Sequence, residues 1–137
     1  MGDIKAFLLP PVMEETKEAV ITKRAKGPDG KPVPFVLRAI DQETNDRLIR
    51  RAQRTSKVNG QTVRELDTEK YGKLLISACV IEPNFKDVEL CAYYKTVDPL
   101  DVPGKMLSSG EYAKLMQEIN SLNGFEDIDG LEETAKN

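Results

Sequence analysis

Four arginines, Arg47, Arg50, Arg51 and Arg54, recur at i, i+3, i+4 and i+7. On a helix that spacing puts four guanidiniums on one face, a surface able to grip carboxylates or phosphates through paired N–H donors. A plainer reading stands beside it. Glu43 and Asp46 lie one helical turn before Arg47 and Arg50, so the stripe could be a solvated face that carries its own counter-ions. Such surface pairs contribute only ~0.3–0.5 kcal/mol each.

Catalytic chemistry has little to work with. The chain contains no histidine, which removes Ser-His-Asp and Cys-His sites together with histidine-containing zinc sites. Cys79 and Cys91 cannot complete a structural zinc site, and they are expected to be reduced and partly buried. "GPDGKP" (27–32) lacks the spacing of a phosphate-binding glycine loop. "DIDG" (127–130) fails as a calcium loop because Phe125 and Lys136 stand where ligands are needed. The acidic pairs Glu14-Glu15 and Glu132-Glu133 read as exposed charge runs, so no enzyme, cofactor or metal is expected.

A chain of 137 residues, 39% hydrophobic and 31% charged, suits one small globular domain. Its longest apolar run, "LLISACVI" (74–81), is far short of the ~20 residues that cross a bilayer. No basic and apolar leader opens the chain, so a cytoplasmic home is expected. The net charge is −3, and residues 126–137 hold five carboxylates against one lysine. The acidity therefore sits in that segment, and a near-neutral body gives no bulk electrostatic reason for a nucleic-acid partner.

The elements that would position these residues follow from local pattern. The cluster Phe7-Leu8-Leu9 runs into Pro10-Pro11 and reads as a short docking element or strap. Segments 16–24 and 34–40 are β-rich and flank Pro28-Asp29-Gly30, the chemistry of a turn. Together they predict a hairpin whose Phe35, Leu37 and Ala39 face lies against helices. A helix is predicted over 41–57, a loop around Asn59-Gly60 over 58–66, and a second helix that Asp67 caps and Pro83 must end. Tyr71, Leu74, Leu75 and Ala78 form its buried stripe. Asn84 is expected to cap a helix over 86–95, followed by a proline-bounded connection. Ser108 and Glu111 have capping-box spacing. Tyr112, Leu115, Met116, Ile119 and Leu122 line one helical face, and Gly124 with Phe125 fits a left-handed helix end. The reading is α+β: an N-terminal β-hairpin packed on a small bundle of about four helices. Residues 1–125 form a single domain, and 126–137 a mobile acidic C-terminal tail too poor in apolar residues to fold.

Three of these stretches also resemble a known family. "DGKPVPFVLRAI", "LDTEKYGKLLISACVIEPNFKD" and "KMLSSGEYAKLMQEINSLNGF" are similar to phage tail assembly chaperones of the XkdN-like family, found in tailed phages and defective prophages. The likeness runs over about residues 5–126. It implies a non-enzymatic helper that binds the tape measure protein, keeps it soluble and helps recruit tail tube subunits. Such a helper acts in the host cytoplasm and is absent from the mature virion. The resemblance also implies that a longer form can arise by ribosomal frameshifting near the end of the chain. It allows a homo-oligomer and implies neither a membrane nor a nucleic-acid partner. Two other readings of the chain remain beside it: a small structural protein of the phage tail or capsid, and a nucleic-acid-binding adaptor using Arg47, Arg50, Arg51 and Arg54.

Overall fold

In the computed structural model, which describes residues 3–125, a turn forms at Pro28-Asp29-Gly30 as predicted. It closes on the isolated Lys26–Pro32 bridge, and the paired strands on either side are shorter than 16–24 and 34–40, with no strand over 20–25. The Gly30 N–H donates to the Gly27 carbonyl at 3.0 Å, and Gly30 takes φ +78°, a conformation a side chain would strain. Strands β1 (Thr16–Ala19) and β2 (Phe35–Arg38) pair antiparallel, with Thr16 opposite Arg38 and Ala19 opposite Phe35. Phe35 and Leu37 are buried and Ala39 is half-buried, as expected of the inward face.

Helix α1 (Gln42–Ala52) starts at Asp41, whose carboxylate accepts from the Thr44 N–H at 2.8 Å. The helix then stops at Ala52 instead of continuing to 57. Residues beyond it form β3 (Gln53–Val58), which pairs antiparallel with β4 (Gln61–Leu66) in the register Gln53 to Leu66 and Val58 to Gln61. The expected helix tail and loop are thus one β-ribbon. Asn59 (φ +53°) and Gly60 (φ +77°) make the left-handed two-residue turn that a tight hairpin needs. Thr55, Val58, Thr62 and Val63 are β-branched and favour strands over helix. At the ribbon's base the Asp67 N–H donates to the Ala52 carbonyl at 2.8 Å.

Helix α2 (Thr68–Cys79) is capped by Asp67 as expected, but it too ends early. Val80–Glu82 becomes β5, which pairs with β2 and completes a sheet of order β1-β2-β5. A central β2 left with one partner would strand its backbone groups, and β5 supplies the second. Helix α3 (Val88–Tyr93) is capped by Asp87 rather than Asn84, whose side chain instead accepts from the Lys86 N–H in the preceding turn. The proline-bounded connection is also more ordered than expected. Pro99–Asp101 forms a 3-10 turn and Val102–Met106 forms α4, with Val102 and Pro103 buried.

Helix α5 (Ser109–Asn123) carries both hydrogen bonds of its capping box and ends at Gly124, φ +78°. Leu115 and Ile119 are buried, and Tyr112, Met116, Leu122 and Phe125 pack half-buried around them. The described residues therefore hold five α-helices and five strands, an α+β fold. The acidic segment 126–137 lies outside the described residues. Both cysteines are free thiols, and burial pushes Cys79 up to about 11.

Two polar ties lock α5 to the rest. Asn123 accepts from the Ile40 N–H at 2.9 Å while its amide donates to the Ile119 carbonyl at 2.8 Å and to Cys79 Sγ at 3.6 Å. At the other end Arg24 Nη2 lies 2.6 Å from Glu111 Oε1 and also donates to the Met106 carbonyl at 2.8 Å. Hydrogen bonds from Arg24, then Thr22 and the Ser108 backbone, hold the Glu111 carboxyl down to about 2.

Two expected outcomes follow from this packing. Leu115 has no exposed surface, so Leu115→Ala should cost about 2–4 kcal/mol of stability in a denaturant melt. A loss under about 1 kcal/mol would mean that the site is not closed. Glu111 binds its proton less readily folded than unfolded, so its contribution is complete above pH 4.5 and fades as pH falls toward 2. Glu111→Gln retains the capping-box shape but should show a shallower fall in melting temperature over that interval. Parallel curves for the two proteins would remove the linkage.

Candidate functional site

The arginines do not form one helical stripe. Arg47, Arg50 and Arg51 stand on α1, whereas Arg54 stands on β3, where its guanidinium lies 3.7 Å from Glu65 across the ribbon. The reason is the early end of α1: residue 54 falls beyond Ala52, and strand geometry re-aims its side chain. Arg47 has the expected partner, Glu43, at 3.8 Å, and it also donates to Thr44 Oγ1 at 3.1 Å. The expected Asp46–Arg50 pair is not made. Asp46 accepts from the Gln42 amide at 2.8 Å instead, and Arg50 has no ion-pair partner among the described residues. Arg47 thus makes its expected ion pair, while Arg50 and Arg51 remain free of ion pairs among the described residues.

What the fold does assemble is a recess of about 380 Å³ between α1, α2 and the 99–101 turn. Arg51 reaches it from α1, joined by Arg38 from the end of β2 and Lys86 from the turn before α3. Leu48, Leu74 and Leu100 give it an apolar floor. The one carboxylate among its described lining residues is Asp98, which accepts from the Leu100 N–H at 3.0 Å. Arg38 is held by its Nε, which donates to the Ala78 carbonyl at 3.0 Å near the end of α2. Among the described residues none of these three cations has an ion-pair partner. Cations around an apolar floor suit an anionic group with an apolar neighbour. Sequence spacing could not find Arg38 or Lys86, which come from separate segments.

A second surface is apolar. Ile4, Phe7, Leu8 and Leu9 are 69–75% exposed, and Val12 is also exposed. The strap expected here is present as two 3-10 turns, Ile4–Phe7 and Val12–Glu14, joined across Pro10-Pro11. Of the strap's side chains, Met13 turns toward the core, where its sulfur accepts from Thr44 Oγ1 at 3.6 Å. The other apolar side chains have no seat on the described domain. Two shallow apolar grooves also meet at Pro83, one reaching Leu90 and Tyr93, the other Val33, Phe35 and Met106. None of the described residues forms a metal-ligating cluster of three or more, and no described helix is long and apolar enough to cross a membrane.

A sequence model of the family described as "Phage XkdN-like tail assembly chaperone protein" matches residues 4–136. The chain belongs to this family. Two relatives from Bacillus subtilis (strain 168) align over nearly all of it. An uncharacterized protein, YqbN, is 37% identical, with 98% of this chain and 93% of YqbN aligned. The phage-like element PBSX protein XkdN is 34% identical, with 96% of this chain and 93% of XkdN aligned. The fold agrees as well: the crystal structure of YqbN superposes with a TM-score of 0.67 at 32% identity, covering 80% of this chain and 85% of that one. The membership confirms the expected tail-assembly-chaperone family and the phage or prophage setting.

Within this chaperone the recess cations have different structural costs. Arg38→Gln removes the bond to the Ala78 carbonyl and should lower stability by roughly 0.5–1.5 kcal/mol. Arg51→Gln should stay within about ±0.5 kcal/mol. Equal effects in urea melts would mean that the Arg38 bond does not hold in solution.

Proposed function

We propose that the chain is a non-enzymatic chaperone that binds the tape measure protein, keeps it soluble and helps recruit tail tube subunits. It works in the host cytoplasm and leaves before the virion is complete. The observation that carries this reading is the exposed apolar strap. Four large side chains within residues 4–9 stay in water although the domain has a closed core of its own. Exposed apolar clusters of this kind mark interaction surfaces. A long client with apolar, helix-prone stretches offers the complementary chemistry, and reversible burial against the strap would keep such stretches from one another. Arg47, Arg50, Arg51 and Arg54 then serve as flanking positive charge that steers acidic stretches of the client, affecting the rate of encounter more than final affinity. Residues 1–125 act as the folded unit and 126–137 as an appended segment.

The test is co-expression with the tape measure protein, followed by capture of the complex. Wild type should hold the client in the soluble fraction. Phe7→Ser combined with Leu8→Ser should melt at the wild-type temperature and lose the client. Undiminished capture by that variant overturns the strap as the client surface, and recovery of the chain in purified particles would favour a structural tail or capsid protein instead. Replacing Arg47, Arg51 and Arg54 by glutamine should slow association and weaken its salt dependence. Unchanged kinetics would return those side chains to a solvated face.

A further inference from the structure

We propose that the recess bounded by Arg38, Arg51 and Lys86 is a docking site for an acidic peptide with apolar anchors, and that its occupant is this chain's own segment 126–133, EDIDGLEE. The recess and the strap are separate surfaces. Although Arg51 is shared with the proposed client-steering charges, the test below uses no client and so stands or falls apart from that reading.

Three observations carry it. The first is charge. Three cations with no ion-pair partner among the described residues face one carboxylate already engaged by backbone. Segment 126–133 offers Glu126, Asp127, Asp129, Glu132 and Glu133 and no cation. The second is shape chemistry. The recess floor is apolar, and the segment places Ile128 and Leu131 between its acids, so an anchor can enter while flanking carboxylates meet the rim. Free guanidiniums beside an apolar floor favour a ligand that satisfies both, since burying either kind of group alone leaves the other unpartnered.

The third is proximity. Asn123 donates to the sulfur of Cys79, the neighbour of the Ala78 whose carbonyl holds Arg38. The chain therefore leaves α5 beside the wall that carries one of the recess cations. Ile128 and Leu131 lie three and six residues past Phe125, a reach of up to roughly 10–20 Å. A ligand tethered so closely acts at an effective concentration on the order of millimolar, enough to hold a weak contact. In that arrangement the recess is occupied until a stronger acidic ligand displaces the segment.

The experiment uses the full chain and a synthetic peptide of sequence EDIDGLEE. In wild type the tethered segment should exclude the peptide. In the double variant Ile128→Ser/Leu131→Ser the recess should be vacated, and the peptide should bind at least about tenfold tighter than to wild type. Adding Arg51→Glu and Lys86→Glu, both at exposed positions, should abolish binding in that background with the melt unchanged. Backbone amide spectra supply an independent reading. Signals of Ser77, Lys86 and Leu100 should shift between wild type and the double variant, by the same amount at every protein concentration. Equal peptide affinity in both backgrounds, binding that survives the charge reversals, or no shift at the recess would overturn the proposal. Shifts that grow with protein concentration would assign the segment to a second copy and overturn the intramolecular contact.

Discussion

The fold depends on closing the apolar seam where β2 meets α2 and α5. Leu37, Leu74, Leu75, Ile76, Leu115 and Ile119 come from three distant segments, and each is fully withdrawn from water. A three-stranded sheet has too little surface to be stable by itself, so β2 needs the helices as much as they need it. This mutual requirement explains the polar ties at both ends of α5. Asn123 at one end and the Arg24–Glu111 pair at the other hold the last helix in the register that closes the seam. Removing water from this layer also strengthens the packing order, because any shift of α5 would open space that no side chain can fill.

With the core satisfied internally, the remaining surfaces differ sharply in chemistry. The strap exposes aliphatic and aromatic groups, the recess collects cations above an apolar floor, and the β3-β4 ribbon displays mostly polar side chains. Apart from the recess floor, the Arg38–Ala78 bond and Met13, these surface groups are not needed to close the seam, so their chemistry is free to answer to a partner. That separation suits the client binding proposed above, in which the domain stays folded while a client comes and goes. Reversible burial and charge pairing suffice for the proposed work.

Much of the framework was legible from local pattern. The 27–30 turn, the Asp41 and Asp67 caps, the Ser108–Glu111 box and the Gly124 stop all depend on residues close in sequence, and each formed as read. The two helices read too long share one cause. Residues 53–58 and 80–82 follow helices with no breaker between, so helical pattern continues across them, yet both pair as strands. For 53–58 a local signal did exist: Asn59-Gly60 with β-branched residues on either side is hairpin chemistry. For 80–82 there was none, because its partner β2 lies more than forty residues upstream.

The sequence by itself determined most of the helices, the caps at Asp41, Asp67 and Ser108 and the inward faces, since these rest on spacing and on runs of neighbouring residues. Three of its stretches carried the likeness to the family. Only the tertiary structure decided which charges share a surface. It broke the apparent arginine stripe by turning Arg54 onto a strand, and it brought Arg38, Arg51 and Lys86 from three segments to one recess. It also left Phe7, Leu8 and Leu9 of the expected docking element in water, with no seat on the described domain. The physical reason is common to all three: periodicity reports which way a side chain points from its own element, while its neighbours are set by how distant elements pack.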